Sequence, residues 1–263
     1  MDLWQSMTMG VIQGLTEFLP VSSSGHLVLA EHLIGIDPPG VTFEVVLHLG
    51  TIFAALVYFR RRLIRIIRDA LTGNTHAGHD SGWKYLLALV LATIPAGLAG
   101  VLFKDQVEAA FSAPKAAAGF LIFTGVLLFS TLLIHNKNRP LTALRALGIG
   151  VAQAVALLPG ISRSGSTIST AILLGINPAG GAEFSFILSI PAVAGATVLS
   201  LGEAVAEGIS SAILTVYAIG GLIAFIVGYA SLKLVFGMIR KGRFWWFGAY
   251  CVCVGVAWLA SIP

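Results

Sequence analysis

The chain has 263 residues, of which 57% are hydrophobic and 11% charged, with a formal net charge of +4 and a mean hydropathy of +0.90. Soluble domains carry roughly a quarter charged residues, disorder needs low hydrophobicity with high charge, and 27.5 kDa cannot enclose this much apolar surface in water. An integral membrane protein remains. Its pI of about 9.3 calls for no nucleic-acid partner, because membrane proteins concentrate Lys and Arg on one face.

The chain opens with Asp2 and has no Lys or Arg before Arg60, unlike a secretory signal, so insertion is expected to rest on the spanning segments. Residues 8–35 are apolar but broken by Leu19-Pro20-Val21-Ser22-Ser23-Ser24-Gly25-His26. Each half is too short to cross a bilayer, which predicts a re-entrant hairpin whose irregular tip is buried in protein or lines a wet cavity. Three spans of about 20 residues follow, at roughly 43–59, 84–103 and 116–135. Residues 147–176 form a second broken stretch, interrupted by Pro159-Gly160-Ile161-Ser162-Arg163-Ser164-Gly165-Ser166-Thr167, and spans at 183–201, 211–236 and 244–262 complete the chain. Cys251 and Cys253 are two apart in the last span, on different helix faces, and read as packing residues.

The two broken stretches resemble each other. At a shift of 140 without gaps, Gly10, Val11, Gln13, Ser22, Ser24, Gly25, Leu33, Gly35, Ile36 and Pro38 recur as Gly150, Val151, Gln153, Ser162, Ser164, Gly165, Leu173, Gly175, Ile176 and Pro178. The expected fold is an all-α membrane protein of two units, 1–140 and 141–263, each a re-entrant hairpin plus three transmembrane helices. Three is odd, so the second unit is inverted, with the site at the midplane between repeats. Loops 60–83, 136–146 and 237–243 then share one side, holding Arg60, Arg61, Arg62, Arg65, Arg68, Lys137, Arg139, Arg145, Arg240, Lys241 and Arg243. The other side carries Lys104 and Lys115 against Asp2, Asp37, Asp105, Glu108, Glu203 and Glu207. The basic side is expected in the cytoplasm, both termini and the mouth of the first hairpin outside.

Ionisable groups away from the membrane edges cost about 2.5–3.5 kcal/mol each on insertion scales and are functional candidates by default. Here they are Glu17, His26, Glu44, His48, Arg163 and Glu183. Ser22, Ser23 and Ser24 precede a helix expected to begin near His26, and Ser162 and Ser164 one near Ser166; serine before an apolar run signals an N-cap. Two helix N-termini aimed at one point, with the Arg163 fork between them, predict an anion cradle, most naturally for phosphate, built from Ser22, Ser24, Gly25, Ser162, Ser164 and Gly165. Plainer readings stand beside this one. Ser-Gly breaks also permit close helix packing; Glu17 can merely neutralise Arg163, and His26 can be a satisfied interior histidine. Glu44 and Glu183 read as anchors of span starts, His48 as a helix–helix hydrogen-bond partner, and His76 and His79 as part of a solvated loop.

Gln13-Gly-Leu-Thr-Glu17-Phe-Leu-Pro-Val-Ser-Ser-Ser-Gly-His26, together with Pro159-Gly-Ile-Ser-Arg-Ser-Gly-Ser-Thr167, closely resembles the bacterial undecaprenyl-diphosphate phosphatases of the bacitracin-resistance type. The family pairs a Glu/Gln-x-x-x-Glu segment running into Ser-Ser-x-Gly-His with a Pro-Gly-x-Ser-Arg-Ser-x-x-Thr segment, and the resemblance covers essentially the full chain. It implies removal of the terminal phosphate from a C55 isoprenyl diphosphate, releasing the monophosphate carrier for peptidoglycan synthesis. It also implies a bacterial plasma-membrane location, and the functional residues Gln13, Glu17, Ser23, His26, Ser162, Arg163 and Thr167. A homodimer is compatible with it. Gln13 stands where some members have glutamate, which weakens any mechanism needing two carboxylates on a metal.

The expected chemistry has Ser23 attacking the distal phosphorus to form a phosphoserine that water hydrolyses. His26 acts as base and later acid, and Arg163 stabilises the transferring phosphoryl. Glu17 orients His26, activates the nucleophile or, with Gln13, holds Mg2+ or Ca2+. The phosphatidic-acid-phosphatase type of lipid phosphatase fits poorly, since Ser169 stands where its later histidine is required. A lipid-phosphate flippase using the same midplane anion site is the alternative from another functional class.

Overall fold

A computed structural model describes residues 1–35, 42–73, 82–111, 113–134, 138–206 and 211–261. Among them the regular structure is helical throughout. In chain order the helices are α1 (Leu3–Phe18), α2 (Ser23–Ile34), α3 (Thr42–Thr72), α4 (Gly82–Leu102), α5 (Lys104–Phe111), α6 (Pro114–Ser130, extended by a 3-10 turn Thr131–Leu133), α7 (Ala143–Val155), α8 (Arg163–Leu173), α9 (Pro178–Ala206), α10 (Ser211–Arg240) and α11 (Trp246–Ser261). Residues 74–81, with His76 and His79, lie outside the described residues.

Helix starts follow local chemistry. Asp2 opens α1 with a capping box, accepting from the Gln5 amide at 3.0 Å while the Gln5 side chain accepts from Asp2 N–H at 2.9 Å. Thr142 caps α7 through the Arg145 amide, 140 positions later. The helices after the breaks begin three residues earlier than expected, at Ser23 and Arg163 rather than near His26 and Ser166, because Ser22 and Ser162 are themselves the caps.

Among the described residues five helices are long and apolar enough to cross a membrane: Thr42–Thr72, Gly82–Leu102, Pro114–Leu133, Pro178–Val198 and Ile213–Arg240. The sixth expected span, 244–262, is the 16-residue α11, about 24 Å long at 1.5 Å per residue against a hydrocarbon core of about 30 Å. The start of the loop expected at 60–83 is corrected, since α3 continues unbroken to Thr72. Its arginines are good helix formers, and they leave Ile66 and Asp69 buried on the side where Gly82 of α4 backs onto Ile66 and Ala70. The end of α3 and the start of α4 are thereby in backbone contact.

Packing pairs elements across the two halves. α1 lies on α10 and α7 on α4; α3 packs on both α9 and α10, and α6 on α11. Small residues allow backbone contact at these crossings, Gly10 against the Gly220 carbonyl and Gly150 against Ala92. An aromatic cluster underlies the end of α1. Phe18 meets Phe186 edge-on at 5.7 Å, and Phe186 and Phe59 both pack on Phe236, at 5.7 and 6.0 Å. These rings fix the residue directly after Glu17.

Candidate active site

Both breaks are built alike. After α1 the backbone passes through Leu19 and Pro20 to Ser22, whose φ of +67° is the one positive value on a non-glycine residue among the described residues. Ser22 Oγ accepts the Gly25 amide at 3.3 Å and lies 3.3 Å from Ser24 Oγ. After α7, Ser162 Oγ accepts the Gly165 amide at 3.0 Å and lies 3.3 Å from Ser164 Oγ. The repeated Ser-x-Ser-Gly is thus one capping motif used twice. Thr124 of α6 pins the second break, donating to Gly160 O and accepting from the Ser162 amide, each at 3.0 Å.

The two breaks touch. Ser164 Oγ donates to Leu19 O at 3.2 Å, and a Cβ on Gly25 would sit 3.4 Å from Gly160 Cα. Arg163 pairs with Glu17 through Nη2 and Oε1. Ser23 and Arg163 therefore share one carboxylate, because Ser23 Oγ donates to Glu17 Oε2 at 2.7 Å. Gln13 Nε2 donates to the same oxygen at 3.2 Å, one helical turn before Glu17 on α1, and His48 Nε2 lies 3.9 Å from it. Glu17 is 6% exposed and Gln13 fully buried. Arg163 Nη1 and Gln13 Oε1 are buried without a hydrogen-bond partner among the described residues.

The remaining expected site residues divide. His26 is one turn beyond Ser22 on α2; its Nδ1 faces Ser22 O at 2.9 Å and its Nε2 faces Tyr250 Oη of α11 at 2.8 Å. The Ser23 hydroxyl is directed to Glu17 rather than to this histidine. Thr167 is fully buried, donating back to Arg163 O at 2.8 Å and bonded to Ser185 Oγ of α9. It braces the first turn of α8 from behind. Glu44 is exposed in the first turn of α3, and Glu183 binds Arg62 Nε at 2.8 Å. Among the described residues no three His, Cys, Asp or Glu side chains gather in a way that could hold a metal ion.

Two residues at the site carry little sequence signal. His48 stands in an apolar span where a histidine bonded to a neighbouring helix is the ordinary case, and only its neighbour across the bundle distinguishes it. Tyr250 sits among Trp245, Trp246 and Phe247, which read as aromatic residues at a membrane edge. No local pattern marks it out.

Chemically, the arrangement sets a hydroxyl bonded to a buried carboxylate and a guanidinium with a spare donor at the joined N-termini of two helices. First-turn N–H groups have no intrahelical acceptor and favour anions. The site is suited to an oxyanion at phosphorus.

The profile of the family described as "Bacitracin resistance protein BacA" matches residues 6–257. Similar curated proteins include an "Undecaprenyl-diphosphatase" of Rubrobacter xylanophilus, 40% identical over 92% of this chain and 91% of its own length. Another of that name, from Syntrophotalea carbinolica, is 42% identical over 97% of each chain, and one from Salinibacter ruber is 37% identical, also over 97% of each.

Proposed function

The chain belongs to the bacitracin resistance protein BacA family, and on that footing we infer that it is an undecaprenyl-diphosphatase, a membrane hydrolase that removes the terminal phosphate of undecaprenyl diphosphate. The observation that carries the chemistry is the sharing of one buried carboxylate, Glu17, by a hydroxyl from the first break and a guanidinium from the second. Neither half of the chain holds all three groups.

Glu17 Oε2 takes the Ser23 proton as Ser23 Oγ attacks the distal phosphorus, and undecaprenyl phosphate leaves. Protonation of Glu17 removes the charge that holds Arg163. The fork then turns to the phosphoryl oxygens, with Nη1 already free to donate. The first-turn amides of α2 and α8 stabilise the same charge. Water hydrolyses the phosphoserine, with His26 as the proton acceptor, and Glu17 returns its proton to Ser23.

A divalent cation suits this donor set only in partnership with the substrate. Gln13 Oε1, orphaned and buried, and Glu17 are two oxygens, too few for resident Mg2+ or Ca2+. They suffice for an ion whose other ligands are phosphate oxygens, as is usual for Mg2+. Such an ion would neutralise charge on the diphosphate.

The proposed architecture is an inverted repeat in the bacterial inner membrane, with both termini and the site facing outward. Its support is the reciprocal pairing of α1 with α10 and α7 with α4 and the distribution of arginines. The lengths of α1, α2, α7 and α8, at 16, 12, 13 and 11 residues, fall short of the ~20 a crossing helix needs and support re-entrant hairpins.

The test is to acid-quench purified protein turning over a diphosphate labelled at its terminal phosphate. Label on the peptide containing Ser23, and none on S23A, is the expected result. Wild-type turnover by S23A overturns the nucleophile.

A further inference from the structure

Two neighbouring residues of α11 clasp the first break. Cys251, fully buried, directs its thiol to Pro20 O at 3.5 Å. Tyr250 Oη meets His26 Nε2 at 2.8 Å, and the two rings stack, centroids 5.7 Å apart at 13° between planes. The other ring nitrogen faces the Ser22 carbonyl at 2.9 Å. A carbonyl only accepts, so Nδ1 carries the hydrogen and Nε2 the lone pair, and the Tyr250 hydroxyl is the donor between them.

We propose that Tyr250 links His26 to the hydrolytic water, its phenol taking the water's proton as it passes its own to the His26 Nε2 lone pair it already engages. The assignment rests on the phosphoserine reading above. In the second step the water oxygen bonds to phosphorus and the Ser23 Oγ–P bond breaks. The water proton passes to Tyr250 Oη as the phenol's own proton passes to His26 Nε2, and Ser23 Oγ recovers the proton held by Glu17. Inorganic phosphate is released.

A phenol fits this task because it is both donor and acceptor. It donates to the neutral imidazole and accepts from the Nε2–H of the imidazolium, so the ring keeps one orientation through the cycle. The stacked plane limits rotation about χ2, and the Cys251–Pro20 contact holds α11 in register with the break. Ser22 supplies the tautomer through its carbonyl, which its left-handed backbone helps to aim. Ser23 does not need Tyr250, since its own base is Glu17. Loss of the phenol should therefore slow breakdown of the phosphoenzyme more than its formation.

Tyr250→Phe keeps the stacking and deletes the hydroxyl, whereas Tyr250→Gln restores a donor without the ring. With undecaprenyl diphosphate in detergent, Y250F is expected to lose about tenfold in kcat, within the range for a disturbed general base, with KM within about twofold. The fraction of Ser23 carrying trapped phosphate should rise several-fold, and Y250Q, which donates a hydrogen bond but cannot pass a proton on, should lose as much. In an H26N background, Y250F should cost nothing further. Wild-type kcat in Y250F, a loss confined to KM, or a full additional tenfold loss on top of H26N each overturns the proposal. Should Y250F not accumulate, Y250Q measured alone and in H26N decides by the same criteria. If no label is trapped on Ser23 in any variant, the phosphoserine reading fails, while the coupling of Tyr250 to His26 is still decided by the double-mutant comparison.

Discussion

A carboxylate that is 6% exposed inside a membrane protein persists as an anion only beside a cation, and Arg163 supplies it. Removing one partner of a buried pair leaves the other uncompensated, at about 3–5 kcal/mol. R163A is therefore expected to lower the midpoint of thermal unfolding in detergent and to cut phosphate release by more than tenfold, several kcal/mol of transition-state stabilisation being lost. The double variant E17Q/R163Q, uncharged at both positions, should regain much of the stability and none of the activity. Turnover by R163A within tenfold of wild type contradicts the role given to the guanidinium. Ser22 offers a subtler case, because it combines a capping hydroxyl with φ of +67°. S22A loses the cap, about 1 kcal/mol, and keeps the backbone strain, whereas S22G loses the cap and relieves the strain. S22G should unfold at the higher temperature of the two, and the opposite order refutes the account of the break.

At the scale of elements, the second break depends on Gly160. Its φ is +91°, and a Cβ there would collide with the Ala117 carbonyl of α6. G160A should cost about 2 kcal/mol or more from strain and overpacking, and it should reduce activity because the displaced loop carries Ser162 and Arg163. Gly97, inside α4 with nothing within 4 Å of its Cβ position, is the control. G97A is expected to be neutral or to stabilise by up to about 1 kcal/mol through helix propensity. Comparable losses in both would show that the break has no special geometry. Elements also show what a sequence can and cannot convey. The breaks were legible because Pro, Ser and Gly act locally: a serine caps the helix it precedes wherever the chain goes. The sharing of Glu17 was only partly legible, since charge scarcity in an apolar chain brings Glu17 and Arg163 together, while the Ser23 bond depends on the angle at which α2 leaves the break. Continuation of α3 to Thr72 was hidden, because arginines that mark a cytoplasmic edge are equally good in a helix when another helix covers its apolar side. His48 and Tyr250 reach the site from sequence distances of 31 and 224 residues to Glu17 and His26 respectively, across a packing no local pattern encodes.

The whole molecule poses a question of parity. Six crossings with two re-entrant hairpins return both termini to one side of the membrane; five crossings place them on opposite sides. α11, at 16 residues, is short by length, yet its sequence is almost wholly apolar, and it packs along α6, where Gly125 backs onto the Gly248 carbonyl and Gly255 onto Ala118. The bilayer thins at modest cost around a short apolar helix, so the proposed architecture has α11 crossing beside α6. On that proposed architecture the arginine distribution predicts that both termini face the exterior. Single cysteines at Asp2 and Ser261, in a chain with C253S and the buried Cys251 left in place, should both react with a membrane-impermeant maleimide in intact cells. K241C, on the basic side, should react only after permeabilisation. Labelling of D2C without S261C would mean that α11 fails to cross, and the second half would then have lost its last span. Protection of both termini with labelling of K241C would invert the protein, carrying the shared Glu17 site to the cytoplasmic face.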